Sequence, residues 1–427
     1  MTTKELVRIV YRPGAGVKRW FLLTLLAGMI ISFGILTLDW ASGSQRIMGW
    51  IGELFARITD NTNLPSWFLP VIGWLMIGVG TAIAVSSLIQ SIISMLRIVG
   101  QPSTKITKSS GPKVVVLGGG TGIHPVLLAL KSIGTSVTAV VTVADSGGST
   151  GKLRQEFSML APGDIRQCLL ALSDQPLFDK IIRYRFTGQD SSLVGHSMGN
   201  LVIAALTDTE GDFTEAVFRL SKLMATKGTV IPFTIDDVSL CAKYEDGTVV
   251  SGEANIPKIN KPIKNVFFNP PYAKPYVRVI EAIAEADFVI VGPGSLYTSI
   301  MPTLLLAPIV DTMINSKAKK IFMANVMTES GETNDYTILD HLEAIKKHTN
   351  ADIFDMVISS NTPLPEEVLE KYSQSNASPL YASPEDMALI ENLLTEDLAT
   401  IDDGLARHSV QKLSRVLSKI IFKGRKK

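Results

Sequence analysis

Two glycine-rich segments lie close together in the chain, and each follows an apolar run. Gly118, Gly119, Gly120, Thr121 and Gly122 come after residues 114–117 (VVVL), and residues 145–154 (DSGGSTGKLR) come after 138–144 (TAVVTVA). Glycine lets an anionic ligand approach the main chain, and the free N–H groups at a helix start, reinforced by the helix dipole, attract negative charge. Such a pair of loops suits the holding of phosphate. In the second loop Gly147 and Gly148 supply the turn, Ser149 and Thr150 add hydroxyl donors, and Lys152 and Arg154 add cations. Asp145 stands roughly where a dinucleotide dehydrogenase carries the acid that bonds the ribose, about 20 residues after the glycines. The long turn of hydroxyls and cations behind it does not fit that class, which argues against nicotinamide-dependent oxidoreduction.

A third turn, residues 161–166 (APGDIR), brings Asp164. Asp145 and Asp164 could share a hard cation such as Mg2+, which takes one or two carboxylates along with phosphate oxygens and waters. The alternative is that Asp164 caps a helix beginning at Ile165, a role that suits Asp well. From spacing alone the cap is favoured.

The elements that position these loops read as an alternation of buried strands and helices. Residues 114–117, then 138–144, then 288–291 (FVIV) and then 321–325 (IFMAN) are short apolar runs of the kind found in buried parallel strands. Helical stretches are expected at 124–130, 201–206, 366–372 and 384–394, and an amphipathic helix at 410–422. Residues 238–255 read instead as a hairpin, with Asp246-Gly247 as the turn signal. The expected fold is α/β, a Rossmann-like, doubly wound, mostly parallel sheet with a β-hairpin insertion. That insertion is expected to cover the cleft or to pair with another subunit in a homo-oligomer.

The ordered motifs VVVLGGGTGI, TVADSGGSTGKLRQEF, APGDIRQCLLALSD, GHSMGNLVIAAL, VGPGSLYTSIMPTLL and NVMTESGET resemble the YvcK family, the gluconeogenesis factors, which is related to CofD, the 2-phospho-L-lactate transferase of deazaflavin coenzyme synthesis. The resemblance covers roughly residues 113–417. It implies a cytosolic domain that binds a nucleotide sugar, typically a UDP-sugar such as UDP-N-acetylglucosamine, and that supports cell-wall precursor supply and cell shape without a required cofactor. The CofD relatives imply an alternative, a Mg2+-dependent transfer of a phospholactyl-type group from a nucleotide diphosphate carrier. CofD proteins carry paired acids where this chain has Asp145 and Ser146.

By the same resemblance, residues 195–200 (GHSMGN) line the ligand cleft, which makes Asn200 a phosphate or ribose contact; His196 reads as a cap or a satisfied core residue. The loop after 288–291 would set Gly294, Ser295 and Thr298 outside the strand ends, where ligands of open α/β sheets sit. Asn325, at the end of a strand, could read a base edge or hold a loop. Thr328 joins it by resemblance, and Tyr372 and Arg407 match short motifs that supply an aromatic ring and an arginine to close over the uracil.

The first hundred residues lie outside the resemblance. Residues 20–38 and 67–96 are uncharged apolar stretches long enough to cross a bilayer as helices. The first is too long for the apolar region of a cleaved signal peptide. Lys4, Arg8, Arg12, Lys18 and Arg19 precede the first stretch and Arg97, Lys105, Lys108 and Lys113 follow the second, against only Arg46 and Arg57 between them. The positive-inside rule then puts both termini and the ligand domain in the cytoplasm of a multi-pass membrane protein. Residues 46–58 have helical spacing and read as an amphipathic helix that lies on the outer face or packs against the spans. Residues 101–112 read as a linker, and 113–427 as one α/β domain. The net charge of +1 gives no reason for a nucleic-acid partner, and the tail from Lys423 reads as solvated. The two cysteines, Cys168 and Cys241, have no zinc-ligand spacing and suit a reducing compartment.

Overall fold

The chain's fold is given by a computed structural model that describes residues 17–41, 65, 67–100, 111–187 and 193–423. It divides into two compact units, Met1–Thr104 and Lys105–Lys427. The strands of the larger unit are β1 (Lys113–Gly118), β2 (Ser136–Val141), β3 (Gly228–Pro232), β4 (Ser239–Tyr244), β5 (Val249–Ser251), β6 (Ile263–Asn269), β7 (Phe288–Val291), β8 (Lys319–Met323), β9 (Met356–Ser360), β10 (Leu393–Glu396), β11 (Ala399–Asp402) and β12 (Leu405–His408). Seven of them form one sheet in the order β10-β9-β8-β7-β1-β2-β3. Every neighbouring pair in it is parallel.

Burial explains this sheet. In β1 every residue from Val114 to Gly118 is buried, and in β7 Val289, Ile290 and Val291 are. Strands covered on both faces need continuous apolar runs, and branched side chains pack well on the pleat. Helices supply the cover. The helix Gly120–Ser132 buries Ile123, Val126, Leu127 and Leu130, and the C-terminal helix Val410–Phe422 lies beside it, with Ser132 Oγ and Ser414 Oγ 2.9 Å apart.

Three boundaries differ from the sequence expectations. The first helix starts at Gly120, so Gly120 and Gly122 belong to its opening turn and Gly119 is the residue before it. The hairpin is part of a three-stranded antiparallel sheet, β5-β4-β6, inserted between β3 and β7. Gly247 takes the expected positive φ at the turn, and Tyr244 secures the insertion by donating from its hydroxyl to Ile256 O at 2.6 Å. The stretch 384–394 is helical only over Pro384–Leu389, opened by a capping box at Ser383 and Asp386; beyond it, β10 joins the sheet edge beside β9. Pairing with a neighbouring strand overrides the local helical pattern there.

In the smaller unit the helices Val17–Ala41 and Phe68–Gly100 contain the two apolar stretches. They pack through small residues: a Cβ on Gly34 would lie 2.9 Å from Gly73 O, and one on Gly80 would lie 2.6 Å from an Ile31 side-chain carbon. Thr24 Oγ1 and Ser87 Oγ are 2.8 Å apart across the pair. Small residues and buried hydroxyl pairs are the usual means of close helix packing in lipid. Met29, Trp74 and Leu75 face outward and are more than half exposed. Among the described residues one helix, over Pro70–Ser87, is long and apolar enough to cross a membrane, while the apolar run Leu23–Leu38 is shorter. The amphipathic segment 46–58 and most of the linker lie outside the described residues.

Candidate functional site

The sheet order reverses between β1 and β7: the chain runs from β1 through β2 to β3 on one side, then returns to β7 on the other. At such a switch point the loops leaving adjacent strands part and open a crevice beyond the strand ends. Here the loop after β1 and the loop after β7 touch. A Cβ at Gly122 would collide with Pro293 O and lie 2.7 Å from Gly294 Cα. Asn325, at the end of β8, clamps Gly294 from both sides: its Oδ1 accepts from Gly294 N–H at 2.8 Å and its Nδ2 donates to Gly294 O at 2.9 Å. Of the two roles open to Asn325, it plays that of loop holder.

A cleft of about 1020 Å³ opens at this point, lined by Thr121, Gly122, Gly294, Ser295, Asn325 and Thr328 on the sheet side. Tyr372, Arg407 and His408 line it as well, His408 making a hydrogen bond with the main chain of Ala324 beside Asn325. Tyr372 lies on the helix Glu366–Ser373, and its hydroxyl accepts from Ala406 N–H at 3.2 Å, which ties the β11–β12 hairpin to that helix. Arg407 is exposed at the rim. Two cleft-lining residues that the motifs did not single out carry buried polar atoms with no hydrogen-bond partner among the described residues: Glu329 Oε2 and His408 Nε2. Burial raises the Glu329 pKa, opposed by a hydrogen bond with Ser295, and burial holds His408 down to about 4. A neutral imidazole and a carboxyl biased toward its acid form can offer hydrogen bonds to a ligand without adding charge.

The other predicted residues gather elsewhere. Thr298 is buried in the turn after β7, and its Oγ1 donates to Glu332 Oε1 at 2.7 Å. Glu332 Oε2 accepts from the N–H groups of Tyr297, at 3.0 Å, and Thr298. Burial and the Glu329 charge raise the Glu332 pKa to about 7. Glu332 was visible in the motif NVMTESGET, but nothing in its spacing shows that it seats the β7 loop.

The second glycine loop opens the helix Gly148–Phe157. Asp145 Oδ1 accepts from Gly147 N–H at 2.7 Å. Gly148 takes φ +48, and Thr150 is buried. Arg154 is committed to structure, donating to Asp237 Oδ1 and Val238 O, both at 2.5 Å, while Lys152 is exposed. Asp164 is the third residue of the helix Pro162–Leu172, makes no capping bond there, and accepts from Gly120 N–H. Its pKa rises to about 7, first through burial and then through the Asp145 charge, with Gly120 N–H and Arg166 opposing. Glu253, on the inserted subdomain, shares a hydrogen bond with Asp145; burial and then the charges of Asp145, Asp164 and Glu332 raise its pKa to about 8. Ser146 Oγ accepts from Ala254 N–H at 3.3 Å, so the insertion closes on this loop. Two facing carboxylates are what Mg2+ takes from a protein, yet among the described residues no three His, Cys, Asp or Glu side chains are arranged to hold a metal ion. Asn200 is buried beside Ser149, its Nδ2 donating to Ser149 Oγ at 3.3 Å. His196 contacts the same hydroxyl through Nδ1 at 3.0 Å, and Ser197 is the helix cap.

A parallel, doubly wound sheet with a glycine-walled cleft at its switch point defines a Rossmann-like α/β protein. The family model described as 2-phospho-L-lactate transferase CofD matches residues 114–401. The gluconeogenesis factor of Bacillus subtilis is 41% identical over 308 residues, 72% of this chain and 97% of that protein. A putative gluconeogenesis factor of Nostoc is 36% identical over 95% of this chain and 91% of its own length. A crystal structure of a UPF0052-family protein from Bacillus halodurans superposes with TM-score 0.69 at 39% identity, covering 71% of this chain and 99% of that one. The chain belongs to the CofD family, among its gluconeogenesis factors of the YvcK type.

Proposed function

We propose that this protein is a membrane-tethered regulator whose cytosolic domain binds a UDP-sugar of the UDP-N-acetylglucosamine type and supports cell-envelope precursor supply and cell shape. One observation carries the reading: Thr121, Gly122, Gly294, Ser295, Asn325, Tyr372 and Arg407 line a single cleft at the switch point. Its volume of about 1020 Å³ suits a ligand of nucleotide-sugar size. The β1 and β7 loops offer backbone groups suited to a diphosphate, and the Tyr372 ring and Arg407 line the same cleft, which supports the reading. The names of the relatives agree with a gluconeogenesis factor. Tethering is supported by the apolar helices of the smaller unit and by the Nostoc relative, whose 95% coverage reaches into those helices.

The juxtaposition of Asp145 and Asp164 supports a second reading, Mg2+-dependent transfer of a group from a nucleotide diphosphate carrier. Such transfer relies on positioning and charge neutralisation. Where that chemistry would use a second acid, this chain has Ser146, engaged with Ala254 N–H. Calorimetric titration of residues 105–427 with UDP-N-acetylglucosamine, UDP and GDP, each with Mg2+ and with chelator, separates the two. UDP-sugar binding that survives chelation is expected; binding that requires Mg2+ and prefers GDP would favour transfer.

A further inference from the structure

A polar cluster built around Arg166 takes in Ser149 and Asn200, two residues expected at the ligand that do not line the switch-point cleft. This side chain is 8% exposed, and its Nε donates to Asn200 Oδ1 at 2.9 Å. The fold makes room for it: a Cβ at Gly199 would lie 2.5 Å from Arg166 Cδ and 2.7 Å from an Ile182 side-chain carbon. Asn200 and His196, themselves 2% and 5% exposed, both meet the hydroxyl of Ser149. Ser149 is half-buried in the first turn of the helix Gly148–Phe157.

Two more guanidinium groups stand close by. Arg183 ends the helix Pro176–Arg183, Arg185 follows it and donates to Gly195 O, and both charges act on Arg166. Among the described residues none of the three arginines has a carboxylate within ion-pair distance. The Asp164 carboxyl, whose charge reaches Arg166, also lies beyond that distance. A buried charge beside two like charges is costly unless an opposite charge joins it. The fold nevertheless reserves space for Arg166 with a glycine and fixes its Nε with a buried amide. The adjacent helix start adds N–H groups without intrahelical acceptors, and guanidinium forks match the oxygens of a tetrahedral anion.

We propose that Arg166, Arg183, Arg185 and Ser149 form a second anion site, which takes a phosphate dianion, either inorganic phosphate or a phosphomonoester. Three guanidinium groups and a hydroxyl give a tetrahedral dianion more partners than a carboxylate could use. Arg183 also lines the switch-point cleft, so the two sites share a wall.

The test is calorimetry on the full chain in non-ionic detergent, titrated with sodium phosphate and, at equal ionic strength, sodium chloride. Wild type, Arg166→Gln, Arg185→Gln and Ser149→Ala are compared, with and without UDP-N-acetylglucosamine. Saturable binding of phosphate and not chloride is expected, weakened about tenfold by loss of one charged hydrogen-bonding partner and retained when the UDP-sugar is present. Arg185 is exposed, so its variant carries the test if Arg166→Gln does not fold. Three results would overturn the proposal: no saturable phosphate binding by folded wild type, an unchanged affinity in Arg185→Gln, or displacement of phosphate by the UDP-sugar. If the UDP-sugar gives no heat while phosphate binds and responds to Arg185→Gln, the nucleotide-sugar reading fails and the anion site stands.

Discussion

Replacing Asp164 by Asn should stabilise the larger unit, and increasingly so as pH rises. The Asp164 carboxyl is half-buried beside Asp145, and its pKa is raised to about 7 from an ordinary 3.8. Because the folded state holds its proton more tightly than the unfolded chain, stability attributable to Asp164 is full below pH 3.8, falls as pH rises toward 7, and stays low above. Asn keeps an oxygen to accept from Gly120 N–H and has no charge to lose. At about 1.4 kcal/mol for each pH unit of this window, the advantage of Asp164→Asn over wild type should widen by roughly 2–3 kcal/mol between pH 5 and pH 8 and then level off. Buried histidines such as His408, whose pKa is held down to about 4, act in the opposite sense below their ordinary value, stability falling as they are driven to charge. The difference between variant and wild type removes that background. Urea unfolding of residues 105–427 at pH 5, 6, 7 and 8 gives the curve. A pH-independent difference, or a variant less stable at pH 8, would show that Asp164 is a compensated carboxylate and that the burial argument fails.

Gly122→Ala should lower stability by about 1–3 kcal/mol, because the new methyl enters the space of Pro293 O; an unchanged melting temperature would contradict the contact between the β1 and β7 loops. Arg407→Ala should leave the melting temperature alone, since the side chain is exposed, and weaken UDP-sugar binding about tenfold in calorimetry. Equal affinity would remove Arg407 from the site. Deleting Met1–Thr104 should release the protein into the detergent-free supernatant with UDP-sugar binding intact, as the Bacillus halodurans structure, which covers 71% of this chain and 99% of its own, supports. Retention of the fragment in the membrane pellet would sink the tethering argument.

Four of the seven strands of the central sheet, β1, β2, β7 and β8, were legible because buried parallel strands are written as unbroken apolar runs, whereas β3 and β9 were not singled out. Residues 288–291 coincide with β7 and 410–422 with the last helix. Residues 393 and 394, the start of β10, read as helix because their place in the sheet depends on β9, more than thirty residues earlier in the chain, and not on local pattern. Strand β6 escaped notice for the same reason: it is defined by pairing with β4. The glycine loops announced a site, and several of the expected residues met in the cleft. What the spacing did not show was commitment to other partners. Arg154 is spent on Asp237 and Val238, Asn325 on Gly294 and Thr298 on Glu332. Glu253 and Arg183 come from segments outside the quoted motifs, and only the fold brings them beside the loops, whereas Glu329 lay unremarked in the motif NVMTESGET.

The most direct test of the nucleotide-sugar reading is amide hydrogen exchange of the full chain with and without UDP-N-acetylglucosamine. Protection is expected in residues 119–123, 292–296, 325–330 and 399–408, the segments that wall the switch-point cleft. Exchange unchanged in all four, or protection confined to other segments, would contradict it.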